Sequence, residues 1–116
     1  MNEKEMHNQV ERLHAVVLAA LDDLKAEDVR SLDLRGKSPL MDIMIIATGR
    51  SDRHVKSLAG NVIRKAKEAG FRVRSSEGER EAEWVLVDLD DIVVHVMLPR
   101  IRDFYNLEKL WAAETE

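Results

Sequence analysis

The chain of 116 residues contains no cysteine. A disulfide framework, a thiolate metal site and a thiol nucleophile are thereby excluded, and a reducing compartment suits the sequence. Only five glycines and two prolines are present, too few for a collagen-like or disordered chain. Long apolar runs are missing as well. Val16 to Leu21 is among the longest, far short of a membrane span or a signal-peptide core. The N-terminal stretch MNEKEMHNQVERLH is charged throughout. Export and membrane insertion are therefore not expected, and the expected location is cytoplasmic.

What is present is the composition of a compact soluble protein, 45% hydrophobic and 34% charged. At this length folding buries about two-thirds of the surface that the unfolded chain exposes. Residues 1–116 are accordingly expected to form a single domain. Eighteen basic and 22 acidic side chains leave a net charge of −4, which opposes non-specific attraction to a phosphate backbone. The charge is uneven: residues 50–80 hold nine Lys or Arg against four Asp or Glu. The protein is acidic with one basic band.

Val10, Leu13, Val16, Val17, Ala20, Leu21 and Leu24 recur at three- and four-residue steps, the pattern of an amphipathic helix over roughly residues 3–27. Val29 to Arg35 alternates, Gly36-Lys37-Ser38-Pro39 supplies a turn, and Met41 to Ala47 is apolar, which predicts two strands. Ser51 is placed to cap a second helix with Val55, Leu58, Ala59, Val62, Ile63, Ala66 and Ala69 as its buried stripe and Gly70 as its stop. Phe71 to Ser75 reads as a third strand, closed by the loop Ser76-Glu77-Gly78-Glu79. Trp84 to Leu89 and Ile92 to Leu98 read as a hairpin around Asp90-Asp91. Pro99 suits the first turn of a last helix whose apolar residues are Ile101, Phe104, Leu107, Leu110 and Trp111. The order αββαβββα implies an α/β protein around a mixed five-stranded sheet.

With a two-residue turn, the hairpin sets Leu89, Val87 and Val85 opposite Ile92, Val94 and Val96 on one wholly aliphatic face. That face must be core. The other face pairs Trp84 with Met97, Leu86 with His95 and Asp88 with Val93, a mixture of aromatic, sulfur and polar groups found in protein interfaces. The local sequence leaves two readings of it: a binding patch anchored by Trp84, or a face covered by another helix with Trp84 in the core. His95 is likewise open between a partner's hydrogen bond and a structural one.

Asp88-Leu89-Asp90 has carboxylates at i and i+2 of a strand, which project from one face and are able to share divalent cations. Gly49-Arg50-Ser51 at a helix start would suit a phosphate. A metal-dependent nucleotidyltransferase joins such a loop to such a pair, but there the loop sits shortly before the carboxylates, whereas here some forty residues intervene. Asp90 and Asp91 are also common turn residues. His7 and His14 share a helix face without further ligands at a metal spacing, and His54 has no evident nucleophile beside it. Arg53, Lys56, Arg64 and Lys67 line one side of the second helix, but no aromatic residues interleave for base stacking, so a solvated face is favoured. Neither catalytic residues, nor a metal, nor a cofactor is expected.

An ordered series of motifs spans nearly the whole chain. It runs from Leu32-Asp33-Leu34 with Lys37-Ser38 and Asp42 through Thr48-Gly49-Arg50-Ser51 with Arg53-His54-Val55 and Glu77-Gly78. It continues through Trp84-Val85-Leu86-Val87-Asp88 and Val94-His95-Val96 to Tyr105-Asn106-Leu107-Glu108-Lys109-Leu110-Trp111. In this order and spacing the chain resembles the ribosomal silencing factors, or Iojap-like proteins. The resemblance implies a nucleotidyltransferase-like fold without catalysis, which fits the degenerate carboxylate motif. It also implies binding to the large ribosomal subunit through its protein numbered fourteen, steric exclusion of the small subunit, and repression of translation. The expected contact residues are Trp84, Leu86, Asp88, His95, Met97 and Tyr105, with Arg53 and His54 a weaker second set. Contact with ribosomal RNA is expected to be secondary. Two rival readings remain, a nucleotidyltransferase using Asp88 and Asp90 and a homodimer formed through the same sheet face when the protein is free.

Overall fold

The computed structural model describes residues 2–110 and places eight elements in the expected order. They are α1 (Glu3–Asp23), β1 (Glu27–Asp33), β2 (Ile43–Thr48), α2 (Asp52–Glu68), β3 (Ser75–Glu77), β4 (Trp84–Asp88), β5 (Ile92–Met97) and α3 (Pro99–Tyr105). The strands form one mixed sheet, ordered β1-β2-β5-β4-β3, in which β2 and β5 run parallel and the other neighbours antiparallel. Among the described residues, no helix is long and apolar enough to cross a membrane.

Local chemistry sets the helix ends. Asn2 caps α1 by accepting the Glu5 N–H at 2.9 Å, and Ser51 caps α2 by accepting the His54 N–H at 3.1 Å, as side-chain oxygens do for the unpaired donors of a first turn. Helix α1 ends at Asp23, four residues before the expected bound, because Lys25 turns into a left-handed conformation at φ 60° and Leu24 stays exposed. Strand β3 also departs from expectation. Phe71 and Val73 pack on the core, but pairing with β4 starts where the Arg74 N–H donates to the Asp88 carbonyl at 2.8 Å, so the strand is Ser75–Glu77 and the turn begins at Gly78. Helix α3 stops at Tyr105, where Asn106 takes φ 47°, and a helical turn resumes at 107–110. Tyr105 is thus the last residue of α3, and Trp111 lies outside the described residues.

The hairpin register is the one expected, with Val87 opposite Val94 and Leu86 opposite His95. Val85, Val87, Leu89, Ile92, Val94 and Val96 join Ile43, Ile45 and Ala47 in the main core under α1 and α2. Strands β2 and β5 are buried at every position, so the opposite face needs cover too. There Leu34, Met44, Ile46 and Met97 form a second, smaller core, closed by Met41 from the β1–β2 loop, Trp84 from β4, and Ile101 and Leu107 from α3 and the turn after it. This outer face is covered over β2 and β5 and open along β4.

Two glycines sit in opposite circumstances. Gly78 has φ +95°, and a Cβ there would run into the Trp84 carbonyl, whereas Gly60 is exposed in mid-α2 with open space around it. Gly78→Ala is expected to lower the unfolding free energy by about 1–3 kcal/mol, and Gly60→Ala to raise it by about 0.5–1 kcal/mol through helix propensity. Urea unfolding of both variants checks the pair, and shifts of the same sign would contradict this account of the β3–β4 turn.

Candidate functional site

Alternation along β4 sends Trp84, Leu86 and Asp88 to the outer face, each part-exposed. The Trp84 Nε1–H donates to His95 Nδ1 at 2.9 Å, with ring centroids 5.9 Å apart. An indole only donates, so Nδ1 carries no proton and the neutral imidazole holds its hydrogen on Nε2. Burial, with 6% of His95 exposed, pushes its pKa down to about 4. The ring is therefore neutral at ordinary pH. Its Nε2 has no hydrogen-bond partner among the described residues and is not sealed in the interior. It gives a donor to the shallow groove whose lining includes Leu40, Met41, Leu86 and the oppositely charged Arg74 and Asp88.

Beside the groove runs an aromatic strip. Tyr105 packs on Trp84 with centroids 4.9 Å apart, and Phe104 meets Tyr105 edge-on at 5.0 Å. Phe104 is 80% exposed, Leu40 73% and Tyr105 52%, large apolar side chains left in solvent on one side of the sheet. Carboxylates rim it. Glu77 on β3 lies opposite Leu86 on the same face, and Asp88 is one step of alternation away. The strip is held by Arg102, a buried guanidinium whose Nη1 donates to the Asp28 carbonyl at 2.6 Å and to Thr48 Oγ1 at 2.8 Å. Its Nε donates to Glu108 Oε1 at 2.7 Å, and this bond holds the Glu108 carboxyl below the usual carboxylate range.

The structure brings together Trp84, Leu86, Asp88 and Tyr105 at the surface, with His95 behind them. Met97 is different. It is fully buried beneath Trp84 and Ile101, so it supports the face and does not present itself to a partner. His54 also requires correction, because both ring nitrogens are taken. Its Nδ1 accepts the Arg50 N–H at 2.9 Å, which leaves Nε2 as the donor to the Leu24 carbonyl at 2.7 Å and ties α2 to the end of α1. Arg53 is exposed beside it in the α2 layer, across the sheet from Trp84. Sequence reasoning missed Leu40 and Arg102 and placed Phe104 on a buried stripe. The period of α3 was legible, but with seven residues only Ile101 and Arg102 turn inward.

The carboxylate pair and the glycine loop do not meet. Asp88 lies opposite Val93 at the start of β5, while the Gly49 N–H donates at 3.0 Å to the carbonyl of Met97 at its end, four residues along and about 13 Å away at the rise of a strand. Both motifs are also occupied structurally. Asp88 Oδ1 accepts the Asp90 N–H at 2.8 Å, Asp90 pairs with Arg74 at 3.1 Å, and the Arg50 and His54 N–H groups are held by His54 and Ser51. The other histidines are engaged separately, His7 with Arg35 and His14 with Ser31. On the basic stripe Arg64 pairs with Glu68, whereas Arg53, Lys56 and Lys67 are exposed.

Comparison with known proteins agrees across most of the chain. A family model described as ribosomal silencing factor during starvation matches residues 7–116. A ribosomal silencing factor of Chromobacterium violaceum is 45% identical over 106 residues, which cover 91% of this chain and 87% of that protein. A crystal structure of a Chromobacterium violaceum protein is similar at a TM-score of 0.86 and 47% identity, covering 88% of this chain and 85% of that one. A more distant relative from Mus musculus, named mitochondrial assembly of ribosomal large subunit protein 1, is 29% identical over 101 residues, 83% of this chain and 43% of that protein.

The depressed His95 pKa makes stability depend on pH. On acidification the unfolded chain takes the proton first, near its ordinary value of 6.5, and the folded ring resists until about 4. The contribution is thus complete above pH 6.5 and lost as pH falls from 6.5 towards 4, on the order of 3 kcal/mol in all. His95→Gln, whose amide oxygen is able to accept the Trp84 N–H, removes the titration. Unfolding free energies measured from pH 7 to 4 should therefore fall less steeply in the variant. Parallel curves would show that His95 is not buried and neutral as described.

Proposed function

The chain belongs to the ribosomal silencing factor family, and we propose that it represses translation in the cytoplasm by binding the large ribosomal subunit and blocking its joining to the small one. The protein acts without catalysis, as an obstacle. Its partner on this reading is the large-subunit ribosomal protein numbered fourteen, with ribosomal RNA at most a secondary contact. The observation that carries the proposal is the exposed strip of Trp84, Tyr105 and Phe104 beside Leu86, rimmed by Asp88 and Glu77. Aromatic anchors with a charged rim are the usual energetic centre of a protein interface, and acidic groups complement the basic surface typical of ribosomal proteins. The name of the mouse relative supports a large-subunit partner.

Within this reading each group has one task. Trp84 and Tyr105 supply contact area, Leu86 fills the floor, Asp88 meets a Lys or Arg of the partner, and His95 donates its Nε2–H to a partner oxygen. Met97 works from beneath, by packing. Arg53 makes no ion pair among the described residues and lies on the other layer, so Asp88 and Glu77 rather than Arg53 are expected to orient binding.

Tyr105 gives the clean test, because truncating Trp84 would also leave His95 Nδ1 without its donor. Tyr105→Ala is expected to weaken binding to isolated large subunits tenfold or more, about 1.4 kcal/mol, with little change in the unfolding midpoint. Wild-type protein should slow the joining of purified subunits in a sedimentation assay, and the variant should not. A folded Tyr105→Ala protein that binds and blocks joining as well as wild type would remove this face from the mechanism. A stable dimer that ignores large subunits would favour self-association through the same face.

A further inference from the structure

Helix α3 is seven residues long, and its N-cap Leu98 makes no side-chain cap hydrogen bond. A helix this short does not persist on its own. Ile101 and Leu107 plug it into the second core, but two aliphatic contacts fix neither its rotation nor its slide along the sheet. Arg102 supplies what they lack. It is 8% exposed, and its guanidinium bonds to three separate parts of the chain: the Asp28 carbonyl on β1 at 2.6 Å, Thr48 Oγ1 at the end of β2 at 2.8 Å, and Glu108 beyond the helix at 2.7 Å.

These partners are prepared for it. The β1–β2 register shifts between Glu27 and Arg30, and Asp28 sits at φ 46°, a bulge of the kind that takes a residue out of the ladder. The Asp28 carbonyl accepts from Arg102 there. Glu108 is further steadied by Arg30 at 3.4 Å. A planar guanidinium sets direction as well as distance, which an ammonium group does not. Tyr105 follows three residues later in the same helical turn, which the Asn106 N–H closes by donating to the Arg102 carbonyl at 2.9 Å, so the residue that stacks on Trp84 is carried on the turn that Arg102 anchors.

We infer that Arg102 is a positioning residue for partner binding: by latching α3 to the β1–β2 edge it holds Tyr105 against Trp84 in contact geometry. This rests on the function proposed above, and its test separates the two. Dissociation constants for isolated large subunits are measured for wild type, Arg102→Lys, Tyr105→Ala and the double variant. Arg102→Lys keeps the charge but offers a single nitrogen where Arg102 reaches its acceptors from both Nε and Nη1, and it should weaken binding tenfold or more while perturbing the near-ultraviolet circular dichroism of the packed Trp84 and Tyr105 rings. In the Tyr105→Ala background the same substitution should cost less than twofold. A merely structural role would instead lower affinity by equal factors in both backgrounds, which would overturn the inference while leaving the binding face in place. Glu108→Ala, which removes one of the three anchors, is expected to show the same non-additivity with a smaller loss, and it decides the matter should Arg102→Lys fail to fold. Wild-type affinity in both Arg102→Lys and Glu108→Ala would also overturn the latch. Tyr105→Ala binding like wild type would be the separate signature that the face itself is wrong.

Discussion

The parallel pairing of β2 with β5 constrains everything else. Parallel neighbours need a long crossover, here through α2 and the β3–β4 segment, and such strands are stable where both faces are dry. Both strands are buried along their whole length. Helices α1 and α2 satisfy one face with an aliphatic layer. The other face is left to a seven-residue helix, a short turn and a loop, which suffice for Met44, Ile46 and Met97 but do not reach across β4. The candidate site is what remains uncovered. Its position follows from a shortage of covering structure rather than from a cavity shaped for a small molecule.

The indole of Trp84 illustrates how that edge is stabilised. A half-buried Trp needs an acceptor for its N–H, and on this face the acceptor is the imidazole directly across the next rung of β5, which is held neutral by its own burial. The Trp84 N–H and His95 Nδ1 satisfy each other, because one ring supplies the donor and the other the acceptor. One consequence is directional: the remaining polar atom of His95 is a donor, so the floor of the groove accepts oxygen atoms and disfavours an amine at that point.

The sequence made some of this legible for physical reasons that differ from residue to residue. The β4–β5 register was readable because period-two alternation and a short turn leave one arrangement with an all-aliphatic face, and Val85, Val87 and Leu89 occupy it. Strand β3 was misplaced because Phe71 and Val73 are apolar for packing reasons while their backbone stays outside the ladder. Met97 and Phe104 exchanged roles for a related reason. Cover comes from elements remote in sequence, so a Met on an apparently open face is sealed by Ile101, and a Phe in a helical stripe is left in solvent. Arg102 had no local signal at all. Two of its acceptors lie 74 and 54 residues away, a relation that neither periodicity nor spacing encodes.

Charge completes the argument about orientation. The basic band is carried largely on α2, whose exposed Arg53, Lys56 and Lys67 belong to the helical layer, while Asp88 and Glu77 stand on the outer face of the sheet. Sheet and core separate the two sets. Each face therefore acts largely on its own. A basic protein surface is attracted to Asp88 and Glu77 and repelled by the exposed basic side of α2, whereas nucleic acid phosphates experience the reverse there. In the proposed complex the silencing factor approaches with its aromatic strip forward, and the basic side of α2 points away from the partner. The small net charge hides this local polarity, which on the function proposed above gives a flat, shallow face a preferred way to dock.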